Sequence, residues 1–265
     1  MNEQRPPGGI EWTRIPRRDG TRRKGFTWNP VSGCLHGCTW TMPDGTVAGC
    51  YAEDIAEHGV AKSAYPQGFA VHTFHPERLP EPLRVRQPAG IFLDLMSDLG
   101  GWWIPEDQVQ QVLAVCRAAS WHTFQLLTKN APRLPRFAMP PNMWVGASSP
   151  PDGMWGHALK RSQQEKMLHK SLQTLAQIPV PVRWMSFEPL SWDCAAIVAQ
   201  YPGVLQWVVI GAASAGRMHY PPAPETFTRL LAVLDGQGVP AFFKGNLRSL
   251  PQAAAAWREC FPRPG

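Results

Sequence analysis

No run in this 265-residue chain approaches 18 consecutive apolar residues, the length a membrane-spanning helix requires. The opening Met1-Asn-Glu-Gln-Arg-Pro-Pro-Gly-Gly9 lacks an apolar stretch, so no secretory leader is expected and a cytoplasmic location is. Helical repeats and low-complexity tracts are absent, which excludes solenoid and fibrous architectures. Cysteine is sparse: Cys34, Cys38, Cys50, Cys116, Cys194 and Cys260. A reducing compartment argues against disulfides between them. Cys116, Cys194 and Cys260 stand alone among apolar or helical residues and read as buried small hydrophobes. Acidic side chains are outnumbered, 20 against 26 basic, and the net charge is +6.

Much of that charge lies at one end. Residues 1–25 carry Arg5, Arg14, Arg17, Arg18, Arg22, Arg23 and Lys24 against Glu3, Glu11 and Asp19. This reads as a basic N-terminal extension, suited to a nucleic-acid partner or else simply solvated. Residues 26–265 then form one domain. Hydrophobic content of 44% is enough for a sizeable core. Twelve tryptophans are many for this length; most are expected in core and pocket walls, some stacked on bases.

Near-continuous apolar runs predict strands at 26–31, 70–74, 90–96, 123–128, 143–147, 182–187, 206–210 and 241–244. Continuity, rather than alternation, implies that both faces are covered, as in a parallel sheet. Helical patterns fall between them at 51–59, 105–119, 157–176 and 224–236. Strand–helix alternation of this kind predicts an α/β fold: a full or partial (β/α) TIM-type barrel with six to eight parallel strands. A doubly wound open sheet is the alternative. The 28 prolines cluster in the connections, at 76–88, 132–141 and 221–224.

The densest chemistry is Gly33-Cys34-Leu-His-Gly-Cys38, then eleven residues, then Cys50-Tyr-Ala-Glu53. Gly33 and Gly37 let the backbone curl around a bulky centre. Cys50 opens a helix, whose N-terminal end favours thiolate. Three thiolates leave a metal centre one ligand short, and an open position is what a catalytic centre needs. His36 is an available fourth zinc ligand, so structural zinc in a non-catalytic nucleic-acid-binding protein stays open at this point. His58, His72, His75, His122 and His157 share no metal spacing and read as surface or capping residues. Polar residues also follow the apolar strands: Asp98, Lys129, Ser148, Glu188 and Lys244. In a barrel such positions face the mouth or form buried ion pairs.

The string Thr27-Trp-Asn-Pro-Val-Ser-Gly-Cys34-Leu-His-Gly-Cys38, with Cys50-Tyr-Ala-Glu53, resembles a phage-encoded family of radical S-adenosylmethionine-like proteins with a three-cysteine motif. Ile10-Glu-Trp-Thr13, Met96-Ser-Asp98, Phe124-Gln-Leu-Leu-Thr-Lys129, Trp144-Val-Gly-Ala-Ser148, Ser186-Phe-Glu-Pro-Leu190, Val208-Val-Ile-Gly211 and Phe242-Phe-Lys244 match in the same order. The resemblance implies a 4Fe-4S cluster on Cys34, Cys38 and Cys50, with S-adenosylmethionine on the fourth iron. It implies a 5′-deoxyadenosyl radical formed in a closed barrel with an electron from an external donor. Asp98 and Glu188 would then meet ribose hydroxyls or the amino group. Lys129 and Lys244 would meet a carboxylate or an anionic substrate, Ser148 would donate a hydrogen bond, and Tyr51 would pack on adenine or cluster. The expected substrate is a nucleotide or a modified DNA base, for example in an isomerase acting on a hypermodified thymine side chain. Two features depart from the family pattern: the eleven-residue gap between Cys38 and Cys50, and Gly211-Ala-Ala-Ser-Ala-Gly216, where relatives carry two glycines and a glutamate.

Overall fold

The computed structural model describes residues 1–262 apart from Pro7 and residues 216–217. Eight strands form the main sheet in chain order: β1 (Asn2–Gln4), β2 (Lys24–Trp28), β3 (Ala89–Leu93), β4 (Thr123–Thr128), β5 (Met143–Ser148), β6 (Val182–Phe187), β7 (Trp207–Ile210) and β8 (Ala241–Phe243). β1 runs antiparallel to β2, and the other seven are parallel neighbours. The order has two ends, so the barrel is partial.

Side chains alternate across the sheet. Phe124 and Leu126 of β4, Val145 and Ala147 of β5, and Met185 and Phe187 of β6 face outward into the large core. There they meet helices α2 (Glu106–Ala118), α3 (Arg161–Gln177) and α4 (Pro224–Gly236). Each helix supplies one apolar stripe at three- and four-residue spacing: Val109, Val112, Leu113 and Cys116; Leu168, Leu172 and Leu175; Phe227, Leu230, Leu231 and Leu234. Burying a stripe of this kind stabilises each helix beyond its intrinsic propensity.

The opposite face is concave, and Trp12 shows how tightly it curls. Its ring lies 4.8 Å from Phe92 of β3, 5.2 Å from Trp184 of β6 and 6.1 Å from Trp207 of β7. In a flat sheet β3 and β7 would lie about 19 Å apart. The main-chain oxygen of Trp12 also accepts from Gln125 of β4. Small residues make room for the segment: a Cβ on Gly90 would stand 2.0 Å from the Thr13 carbonyl oxygen, and one on Gly25 2.1 Å from the Thr13 hydroxyl. These contacts fall at the N-terminal ends of the strands, so the tryptophan cluster plugs the bottom of the barrel.

Residues 1–25, expected as a separate basic extension, thus supply an edge strand and the plug. Several of their charges are paired within the fold: Arg5 and Lys24 with Glu3, and Arg22 with Glu259. Residues 70–74, expected as a barrel strand, give only Thr73–Phe74, which pairs with Val31–Ser32 outside the main sheet. Residues 157–158, expected to open α3, instead close a β-hairpin with Gly153–Met154. Two single residues also differ from expectation. Cys260 is exposed. His122 is buried at 1% exposure between Ala89 and Pro82, not at the surface.

Candidate metal centre

The three motif cysteines lie above the C-terminal end of β2. The chain leaves that strand, turns through Gly33 (φ +89°) and Gly37 (φ +54°), and carries Cys34 and Cys38 on the intervening loop. At Gly33 a Cβ would stand 2.1 Å from the Val71 carbonyl oxygen, so this turn requires glycine. The eleven-residue gap folds as a hairpin of its own, Trp40–Thr41 against Val47–Ala48. Trp40 and Ala48 are directly paired, so Cys50 returns beside Cys38 despite the insertion. Cys50 is the N-cap of α1 (Tyr51–Glu57). The hairpin leans on a second one, Ala213–Ala215 with Met218–Tyr220, through Met42, Ala48 and Ala213. The Tyr220 hydroxyl donates to Asp44 at 3.2 Å. The segment Gly211-Ala-Ala-Ser-Ala-Gly216 runs into this second hairpin; Gly216 lies outside the described residues.

The thiols feel one another. Burial pushes the Cys34 thiol up, and Asp98, Cys38 and Cys50 add to the rise. Burial likewise pushes Cys38 up to about 12, against the pull of Lys129 and with Cys50 adding to the rise. Lys129 responds to the same neighbours. Burial would lower its pKa, but Cys38, Cys50, Asp98 and Cys34 together raise it. Thiols in such a place become thiolates only when a metal takes the proton's position.

His36, between Cys34 and Cys38, commits one ring nitrogen to a carboxylate and leaves its buried Nδ1 without a partner. Its Nε2 is 2.8 Å from Asp98 Oδ2, with both residues buried. Among the described residues, no three His, Cys, Asp or Glu side chains are grouped to hold one metal ion. Three thiolates beside two glycine turns, with a fourth position left open, are a donor set that an iron–sulfur centre accepts.

The other predicted positions surround the same mouth. Lys129, Ser148, Glu188 and Lys244 all follow the concave-facing alternation of their strands. Lys244 Nζ is 2.8 Å from Glu188 Oε2, and Ser186 donates to Glu188 Oε1 at 3.1 Å. Burial would lower the Lys244 pKa, but Glu188 and Glu11 raise it. A Cβ on Gly211 would press on both Glu188 and Lys244 at 3.2 Å, so β7 leaves their pair open space. Tyr51 follows Cys50 directly, opens α1 and is 51% exposed.

Asp98 differs from the rest. β3 ends at Leu93, and Asp98 returns through a turn. It is 5% exposed, and its oxygens accept from His36, Lys129 N (2.8 Å) and Gly100 N (2.9 Å). Burial would raise its pKa, but the His36 bond and charge, with Thr128 and the Lys129 amide, hold it below the usual carboxylate range. It ties the cysteine loop to β4. Two residues of this region carry no strand-end signal in the sequence: His36, which positions the loop, and Glu11, whose Oε1 accepts from Gly245 N at 3.2 Å.

The family described as Protein of unknown function (DUF5131) matches residues 9–253. No curated protein matches the chain. Among solved structures, spore photoproduct lyase complexed with dinucleoside spore photoproduct is similar, with a TM-score of 0.47 and 8% identity over 82% of this chain and 76% of that one. A cysteine variant of that lyase gives a TM-score of 0.47 and 7% identity over 88% of this chain and 80% of that one. No described helix is long and apolar enough to cross a membrane.

Proposed function

The chain belongs to the family Protein of unknown function (DUF5131), and we propose that it is a radical S-adenosylmethionine enzyme with a 4Fe-4S cluster on Cys34, Cys38 and Cys50. The observation that carries this reading is the return of Cys34, Cys38 and Cys50, by two glycine turns and a hairpin, to the C-terminal rim of a parallel, partial barrel. When bound, the cluster and S-adenosylmethionine supply a carbon radical that takes hydrogen from substrate, with an electron from an external donor.

The chain's own residues do the rest. Lys129 offsets thiolate charge and attracts the methionyl carboxylate. Glu188 accepts from the ammonium group or the ribose hydroxyls, and Lys244 neutralises an anionic group beside it. Ser148 donates a hydrogen bond, and Tyr51 packs along the bound adenosyl group. Asp98 acts at one remove, through His36 and the Lys129 amide. The tryptophan plug closes the bottom of the barrel and keeps water from the reacting centre.

A net charge of +6 and exposed tryptophans near the mouth support a nucleotide or a modified DNA base as substrate. Rearrangement of a hypermodified thymine side chain, an isomerase reaction, is the concrete version.

The test is anaerobic reconstitution with iron and sulfide, then assay of S-adenosylmethionine cleavage. About four irons per chain and 5′-deoxyadenosine are expected. Cys34→Ala, Cys38→Ala and Cys50→Ala should each abolish both, whereas Cys116→Ala should abolish neither. Retained cleavage in any of the first three contradicts the ligand assignment. Incubation with phage-type DNA, digestion and mass spectrometry of the nucleosides then tests the substrate class.

A further inference from the structure

The hairpin joining Gly153–Met154 to His157–Ala158 turns through only two residues, Trp155 and Gly156. Both have positive φ, +55° and +76°. A turn of this kind favours asparagine followed by glycine. A bulky aromatic residue with positive φ is strained and needs a reason. Packing does not supply one, because Trp155 is 49% exposed.

The hairpin is sewn to the cysteine loop. Trp155 N donates to the His36 carbonyl at 2.7 Å, and Thr39 and Gly153 exchange two hydrogen bonds at 2.9 Å. Four rings follow in sequence from there. Trp155 lies 6.5 Å from His36, His36 lies 4.8 Å from Trp103, and Trp103 lies 5.9 Å from Trp102. The outer members are the exposed ones, Trp102 at 65% and Trp155 at 49%. Arg133 braces the loop around Trp102 and Trp103 by donating to the Gly101 and Ile104 carbonyls. Lys160 and Arg161, both exposed, follow the Trp155 hairpin directly.

We propose that Trp102 and Trp155 form a stacking platform beside the cysteine loop for unpaired bases of a nucleic-acid strand. Every base has a π-face, so exposed indoles take a single strand with little sequence preference, while nearby cations meet its phosphates. The strained Trp155 backbone is then retained for contact with the ligand, at the expense of the turn. The proposal deepens the nucleic-acid reading above and draws only the partner's class from it.

The test uses the full-length protein and an oligo-thymidine strand, with affinity measured by fluorescence anisotropy across a salt series. Trp155→Asn restores the favoured turn pair. It should melt at the wild-type temperature or above, yet bind the strand at least tenfold more weakly. Trp102→Ala should weaken binding similarly. Both should keep the wild-type slope of log affinity against log salt, because stacking releases no counterions. An abasic strand should bind wild type and variants alike. The proposal is overturned if the variants bind within twofold of wild type, if Trp155→Asn melts lower, or if wild type does not bind the strand. Iron content and S-adenosylmethionine cleavage are read on the same preparations. Their loss in the wild type would refute the radical-enzyme reading and leave the stacking result standing.

Discussion

His36 Nε2 lies 2.8 Å from Oδ2 of Asp98, and the two residues bridge parts of the chain 62 positions apart. His36 sits within the cysteine loop, and Asp98 sits in the turn beyond β3 and also holds the Lys129 amide. One buried carboxylate therefore fixes both the loop that carries the thiols and the lysine that faces them. Because Asp98 is held ionised, the His36 ring donates from Nε2.

Asp98→Asn turns one carboxylate oxygen into a donor among existing donors. Each orphaned buried donor costs about 1–3 kcal/mol. We expect a lower denaturation midpoint and reduced iron retention after reconstitution, with the barrel still folded by circular dichroism. Unchanged iron retention would show that the loop keeps its shape without the latch.

The plug at the barrel bottom makes a second prediction. Trp12 is 2% exposed and touches β3, β6 and β7, so Trp12→Ala should lose about 3–5 kcal/mol in urea unfolding. Gly90→Ala should destabilise by about 1–3 kcal/mol, because its methyl meets main chain that cannot rotate away. Truncation through Lys24 should leave insoluble protein, since it removes β1, the plug and the first residue of β2. A soluble, stable truncation would return residues 1–24 to the status of an appendage.

The elements legible in the sequence are those whose own residues decide them. The patterns at 123–128, 182–187 and 224–236 coincide with β4, β6 and α4, because a doubly covered strand is apolar throughout and an amphipathic helix keeps its 3.6 period. β1 was not legible: Asn2-Glu-Gln4 is wholly polar and joins the sheet by main-chain pairing alone. Lys129, Ser148, Glu188 and Lys244 could be placed at the mouth because each ends or follows an apolar strand. The bond between Asp98 and His36 could not, because it depends on two loops meeting in space. Trp155 left a faint local signal, an aromatic residue where a two-residue turn wants asparagine.

The Glu188–Lys244 pair gives a third prediction. Its side chains are 18% and 28% exposed, so the pair itself adds at most about 1 kcal/mol of stability. Glu188→Gln and Lys244→Met should melt close to wild type but bind S-adenosylmethionine at least tenfold more weakly by equilibrium dialysis on reconstituted protein. Unaltered binding in both would mark the pair as a strut of the rim.

The last prediction concerns acid. His122 accepts the Ala89 N–H at Nδ1 (3.1 Å) and lies 3.0 Å from the Pro82 carbonyl at Nε2, which fixes the neutral ring with its proton on Nε2. Burial lowers its pKa from the ordinary 6.5, outweighing the carbonyls of Pro82 and Val85 that would raise it. The unfolded chain therefore binds this proton more readily than the folded one. The stabilisation is complete above pH 6.5 and is lost as pH falls from there through the folded value. Protonation would also place a second N–H against that of Ala89 at the start of β3, beside the Gly90–Thr13 contact of the plug. Urea unfolding of wild type should therefore weaken more steeply below pH 6.5 than that of His122→Gln, which starts less stable but carries no titrating ring. Parallel curves for the two proteins would assign the acid limb to other groups.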